Sequence, residues 1–159
     1  MKNLRIITLI LLLFHHFNAN ANDSLPTFSF PDTDEKIHSI SEWQQKILVI
    51  NFWATWCQPC LKEIPEFVQL QTQFEHKNVQ FIGIGIDELP AVTRYKSTVN
   101  INYPLLIASE WEGFNLAQQL GNGANTLPYT VVINSTGQII YRHEGAVKKE
   151  DLLEALNRP

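Results

Sequence analysis

Ile47-Leu48-Val49-Ile50-Asn51-Phe52-Trp53-Ala54-Thr55-Trp56-Cys57-Gln58-Pro59-Cys60 is an apolar run that ends in a pair of thiols. The stretch from Lys46 to Phe52 is interrupted only by Asn51, and its length and β-branched content predict a central strand buried on both faces. Beyond it, Leu61, Ile64, Phe67, Val68 and Phe74 recur at helical spacing, so the strand feeds a helix reaching about Glu75, with Pro65 as an internal kink. The cysteines therefore fall at the carboxyl end of a central strand, where open α/β sheets place their sites. They are the chain's 2 cysteines. A pair at this spacing closes into a small disulfide and opens again, so the first reading is redox chemistry.

Other uses of the pair compete with that reading. Half of a zinc site needs two more ligands, and His38, His76 and His143 stand alone rather than at the spacing of zinc motifs. A c-type haem needs His directly after the second cysteine, where this chain has Leu61. A structural staple stabilises through the loop it closes, and a two-residue gap closes almost none. A peroxidase would place a single reactive cysteine in a Pro-and-Thr loop.

The N-terminus runs from basic Met1-Lys2-Asn3-Leu4-Arg5 through apolar Ile6 to Phe14 and ends in Ala19-Asn20-Ala21, the order of a secretory signal. Residues 1–21 are expected to be a signal peptide, cleaved after Ala21, and residues 22–159 one domain. A retained membrane anchor is the alternative, but a spanning helix needs roughly 20 apolar residues and His15, His16 and Asn18 interrupt this one. Cleavage removes Lys2 and Arg5 and no acid, so the formal charge of −4 becomes two units more negative. That acidity argues against nucleic acid and anionic membrane surfaces as partners. In an oxidising compartment, two lone cysteines are either made into a disulfide or kept reduced for a task.

The remaining pattern completes one α/β unit. Phe28 and Phe30 suggest a short strand and Asp32 to Lys36 a polar turn. Ile37 and Ile40 are expected in the core, and Ser41 is expected to cap a helical turn to Gln45. Val79 to Ile86 predicts a second central strand, Pro90 to Thr98 a helix, Leu105 to Ala108 a short strand and Gly113 to Leu120 a helix. Tyr129 to Asn134 and Gln138 to His143, joined by Ser135-Thr136-Gly137, form a hairpin. Lys148 to Asn157 is the last helix, burying Leu152, Leu153 and Leu156. Gly83 and Gly85 lie within a strand, which speaks against a phosphate-cradling loop.

The stretch Ile50 to Cys60, together with Glu63, Pro65 and Thr126-Leu127-Pro128-Tyr129-Thr130, resembles the thioredoxin superfamily, and within it the exported TlpA/ResA-like thiol-disulfide oxidoreductases. The resemblance implies a thioredoxin-like α/β fold, a central mixed sheet flanked by helices, with an extra helix-strand segment before a cis-proline at Pro128. It makes Cys57 the nucleophile, at a helix N-terminus whose unpaired N–H groups and dipole favour thiolate. A thiol of pKa about 8.5 is a few per cent ionised at pH 7, and one near 7 about half. Cys60, one turn further in, becomes the resolving thiol.

Pro59 removes a donor between the two thiols. Trp56 would form part of an apolar docking face, whereas Trp53 reads as core. Plain thioredoxins carry a buried Asp where this chain has Asn51, so the proton acceptor for Cys60 is expected to be Glu63, one helical turn beyond it. Gly83 likewise stands where a strand lysine is common. A cis Leu127–Pro128 bond would present the Leu127 backbone to an extended substrate.

The resemblance implies a periplasmic reductase of cysteine-containing exported proteins, in cytochrome c maturation or a related pathway, supplied by a membrane electron donor of the thiol-transporting type. It implies no cofactor beyond the Cys57-Cys60 disulfide and no resident metal. The alternative is a copper-delivery module holding Cu(I), a soft ion suited to sulfur, on Cys57 and Cys60.

Overall fold

A computed structural model describes residues 24–157, so the expected signal peptide lies outside the described residues. The elements are β1 (Ser29–Pro31), β2 (Ile37–Ser39), a 3₁₀ turn (Ile40–Trp43), β3 (Ile47–Trp53) and α1 (Gln58–Phe74). After a second 3₁₀ turn (Glu75–Lys77) come β4 (Val79–Ile86), α2 (Leu89–Val99), β5 (Leu105–Ala108), α3 (Glu110–Gln119), β6 (Tyr129–Ile133), β7 (Ile139–Glu144) and α4 (Lys149–Leu156). Five strands form a mixed sheet in the order β5-β4-β3-β6-β7. β4 runs parallel to both β3 and β5, while β6 is antiparallel to β3 and to β7. The expected central mixed sheet is thus the one observed, with β3 at its middle.

The uninterrupted hydrophobicity of β3 follows from its position, because both of its faces are covered. On one face Val49 and Trp53 pack with Ile64, Phe67 and Leu70 of α1, Val92 of α2 and Leu152 of α4. On the other, Ile50 and Phe52 pack with Leu116 and Ala117 of α3 and with Phe30, Ile40 and Trp43. A fully buried Leu- or Phe-sized side chain contributes roughly 1.5–3 kcal/mol, so these two layers dominate the fold's stability. Trp53, expected in the core, has no exposed surface.

Register matters more than strand identity for the site. Asn51 of β3 lies opposite Gly83 of β4 and Thr130 of β6, and Thr130 lies opposite His143 of β7. Directly opposed residues project to the same side of a sheet. A row Gly83, Asn51, Thr130, His143 therefore crosses four strands on the face that α1 covers.

Several local expectations are corrected. The first 3₁₀ turn is capped by Ser39 and not Ser41: Ser39 and Glu42 form a capping box, which fixes the turn two residues earlier. Ile37 is 62% exposed, since the three-residue β2 pairs only with β1 and turns that side chain to solvent. α3 begins at Glu110, ahead of Gly113, because Ser109 and Glu112 make a second capping box. On α4 the buried positions are Leu152, Ala155 and Leu156, with Leu153 half-buried at the margin.

Candidate active site

The turn between β3 and α1 is fixed by a residue from the neighbouring strand. Asp87, just past the end of β4, accepts hydrogen bonds at Oδ2 from the Thr55 N–H at 2.8 Å and the Thr55 hydroxyl at 2.5 Å. The Cys57 N–H closes the turn onto the Ala54 carbonyl at 3.1 Å. Cys57 then stands as the N-cap of α1, its Sγ accepting from the Cys60 N–H at 3.3 Å. The sulfur occupies the place a cap oxygen would take, among the first-turn donors where negative charge is favoured. Pro59 lies in that first turn, where its missing N–H costs nothing.

Cys57 and Cys60 are joined by a disulfide, with Cα atoms 5.3 Å apart. Access is one-sided: Cys57 keeps 6% of its surface and Cys60 none. Trp56 is 64% exposed beside them. It forms one wall of a groove of about 430 Å³ whose other lining includes Ile86, Asp87, Glu88, Ser109 and Glu110. The charged side chains lining this groove are all acidic.

Helix α1 continues through Pro65, which has no N–H to give to the Leu61 carbonyl. Tyr95 of α2 replaces that donor, its hydroxyl reaching the Leu61 oxygen at 3.1 Å. The helix carrying both cysteines is thereby tied to α2 at its proline. Tyr95→Phe is expected to cost about 1 kcal/mol by leaving that carbonyl unpaired. The loss should be smaller in a Pro65→Ala background, where residue 65 supplies its own N–H. A urea-unfolding double-mutant cycle measures the difference, and equal losses in both backgrounds would contradict the substitution of donors.

Glu63, one turn after Cys60, is 4% exposed and faces the row of sheet residues. Its Oε1 accepts from the Asn51 Nδ2 at 2.9 Å and its Oε2 from the Val147 N–H at 3.0 Å. Asn51 also donates to the Thr130 hydroxyl oxygen at 3.0 Å, and its Oδ1 has no hydrogen-bond partner among the described residues. Burial outweighs the two donated bonds and pushes the Glu63 carboxyl up to about 7, with the nearby Glu66 adding to the rise. Asn51, which cannot ionise, thus serves the carboxylate as a donor. The phenol of Tyr103, buried near Glu63, is also pushed up by desolvation.

The Leu127–Pro128 peptide is cis. Leu127 packs against the hydrophobic cluster that contains both cysteines. Two contacts hold this loop. The wholly buried Asn122 pairs with Thr126 on both sides, donating to its carbonyl at 2.9 Å and accepting from its N–H at 3.2 Å. The Gly145 N–H donates to the Pro128 carbonyl at 2.9 Å.

Every expected site residue is therefore located: Cys57, Pro59, Cys60 and Glu63 on one helix end, Trp56 on the open rim, Leu127 and Pro128 in the loop before β6. Sequence reasoning missed Asp87, Asn122, Tyr95 and the Val147 N–H. Asp87 had a usable signal, since it follows a central strand at its carboxyl end. Asn122, between two glycines, reads only as a turn. His143 has both ring nitrogens within hydrogen-bond distance of protein atoms, at Tyr141 and Ala146. Among the described residues no group of three His, Cys, Asp or Glu side chains gathers.

Comparison with known proteins agrees with this geometry. The Redoxin family model matches residues 20–156. The thiol-disulfide oxidoreductase ResA of Bacillus thuringiensis subsp. konkukian (strain 97-27) is 29% identical over 134 residues, spanning 84% of this chain and 75% of that protein. ResA of Bacillus subtilis (strain 168) is 25% identical over 133 residues, 83% of this chain and 72% of its own length. Among solved structures, a thioredoxin-family thiol:disulfide interchange protein from Chlorobium tepidum TLS superposes with a TM-score of 0.75 at 31% identity, covering 84% of this chain and 93% of that one. The family match over most of the chain, the cis-proline loop and the disulfide at the head of α1 converge: the chain belongs to the Redoxin family and is a TlpA/ResA-like thiol-disulfide oxidoreductase of the thioredoxin superfamily.

Proposed function

We propose that the protein works in the periplasm as a reductant of disulfides in selected exported proteins. Cys57 is the attacking thiol, Cys60 the resolving thiol and Glu63 its proton acceptor. In the first step the Cys57 thiolate bonds to one sulfur of the substrate disulfide, and the other sulfur leaves as a thiolate. Cys60 then gives its proton to Glu63 and attacks the Cys57 sulfur. The Cys57–Cys60 bond forms, the bond to the substrate breaks, and two electrons have passed to the substrate. Leu127, joined to Pro128 by the cis bond, offers its backbone to the extended substrate, and Trp56 offers an apolar contact.

The observation that carries the direction is the acidic surround. A strong oxidant is one whose reduced form is stabilised. Here Asp87, Glu88 and Glu110 line the groove at Trp56, the residue before Cys57. Negative neighbours disfavour a thiolate, offset the helix terminus, and leave the disulfide comparatively stable and the dithiol reducing. Such a reductant draws electrons from a membrane donor of the thiol-transporting type, and cysteines of apocytochrome c are among the substrates this chemistry suits. The basic, apolar and small-residue order of residues 1–21 supports export.

Trapping the thiols of intact cells with acid and alkylating agent tests the reading. Exported protein carrying Cys57 and Cys60 mainly as dithiol is the expected state. A pair found mainly as disulfide in the periplasm, or a protein retained in the cytoplasm, would contradict it.

A further inference from the structure

His143 completes the row that starts at Gly83, opposite Thr130 and half-buried on β7. Its ring stacks on that of Tyr141, with planes 6° apart and centroids 6.1 Å apart. The Tyr141 hydroxyl lies 3.2 Å from Nδ1, and the Ala146 carbonyl oxygen lies 3.2 Å from Nε2. A carbonyl only accepts, so Nε2 carries the hydrogen and, in the neutral ring, Nδ1 accepts from Tyr141.

The Ala146 carbonyl belongs to the same peptide unit as the Val147 N–H, and that N–H donates to Glu63 Oε2 at 3.0 Å. One amide plane is thus gripped from both sides, by His143 on its oxygen and by Glu63 on its nitrogen. Hydrogen bonds joined through a peptide polarise one another in the same sense. The neighbouring residue of the same loop, Gly145, holds the Pro128 carbonyl. We propose that His143 is a positioning residue for the resolving step, fixing the Ala146–Val147 peptide so that its N–H stays on Glu63.

The inference rests on Glu63 being the proton acceptor of Cys60. The groups that act on Glu63 are Asn51 from β3, Glu66 on its own helix and the Val147 N–H, and the buried phenol of Tyr103, from the segment before β5, in turn feels the Glu63 charge. Beside His143 stand Tyr141 and Glu144 on β7 and Thr130 on β6. Among the described residues, the two donated hydrogen bonds are what oppose its neutralisation. Loss of one moves its titration upward.

The test mixes reduced protein with excess 5,5′-dithiobis(2-nitrobenzoate) from pH 5.5 to 8.5. The first thiolate released reports attack by Cys57 and the second reports resolution by Cys60. His143→Phe keeps a ring to stack on Tyr141 but has no N–H for Ala146. Its second phase should reach half-maximum about one pH unit higher, hence run about tenfold slower at pH 6, with the first phase unchanged. His143→Gln, which can still donate to the carbonyl, should restore the parent midpoint. His143→Leu, read in the same way, serves if the phenyl ring is not accommodated.

A midpoint that stays with the parent in the Phe and Leu variants, while Glu63→Gln abolishes the pH dependence, overturns the role of His143 alone. If Glu63→Gln itself retains the parent profile, the reading of Glu63 as acceptor falls, and this inference with it.

Discussion

Cys57→Ser protein, mixed with an excess of a chromogenic disulfide, should release no thiolate above the uncatalysed background, whereas Cys60→Ser protein should release one equivalent and stop. The asymmetry follows from access and from helix position. Cys57 retains exposed surface and caps α1, while Cys60 is wholly buried one turn inside. Removing a covalent nucleophile costs on the order of 10³-fold or more, so the Cys57 effect is all but complete. Removing the resolving thiol leaves the first exchange intact and the mixed disulfide standing. Mass spectrometry of the Cys60→Ser product should show one reagent half attached at Cys57. One released equivalent from Cys57→Ser and none from Cys60→Ser would reverse the two roles.

The second large effect is expected at Glu63. Its folded carboxyl titrates at about 7, against an ordinary value of 4.5, so a proton acceptor becomes available in the neutral range. Glu63→Gln should slow the second thiolate release by about 10²–10⁴-fold near pH 8 and remove its rise between pH 6 and 8.

Stability supplies an independent readout with a definite sign. Between the unfolded and folded pKa values the folded state holds a proton that the unfolded state has lost. The parent protein is therefore destabilised as pH climbs through that window, by about 3 kcal/mol in all. Gln carries no such penalty. The stability of Glu63→Gln relative to the parent should thus improve by about 3 kcal/mol between pH 4.5 and pH 8, read from urea midpoints at the two ends. A difference that does not change with pH would mean that Glu63 titrates at an ordinary carboxylate value.

What could be read in the chain and what could not divides along sequence separation. β3, α1 and the cysteine pair are encoded locally, in one apolar run, one helical period and one short spacing. The hairpin of β6 and β7 is equally local, because its turn residues lie between its strands. The corrections at Ser39 and Ser109 come from capping boxes, where a glutamate three residues on fixes the helix start, at Ser39 in competition with Ser41. Ile37 misled because a strand period places a residue on a face without saying whether another layer covers that face.

The site's supporting contacts are of another kind. Asn51 meets Thr130 across 79 positions, and Glu63 meets Val147 across 84. The latter partner is a backbone N–H, which leaves no mark on residue identity. Tyr95 becomes legible only when Pro65 is asked which carbonyl it leaves without a donor.

The reduction potential of the Cys57–Cys60 couple decides whether the protein gives electrons to its substrates or takes them. The protein would be equilibrated with defined thiol-disulfide buffers and the dithiol fraction read by alkylation. With an acidic surround that leaves its dithiol reducing, the expected potential lies near or below about −250 mV, in the range of thioredoxin. A value near about −120 mV, that of a strong oxidant, would contradict it and make the protein a donor of disulfides.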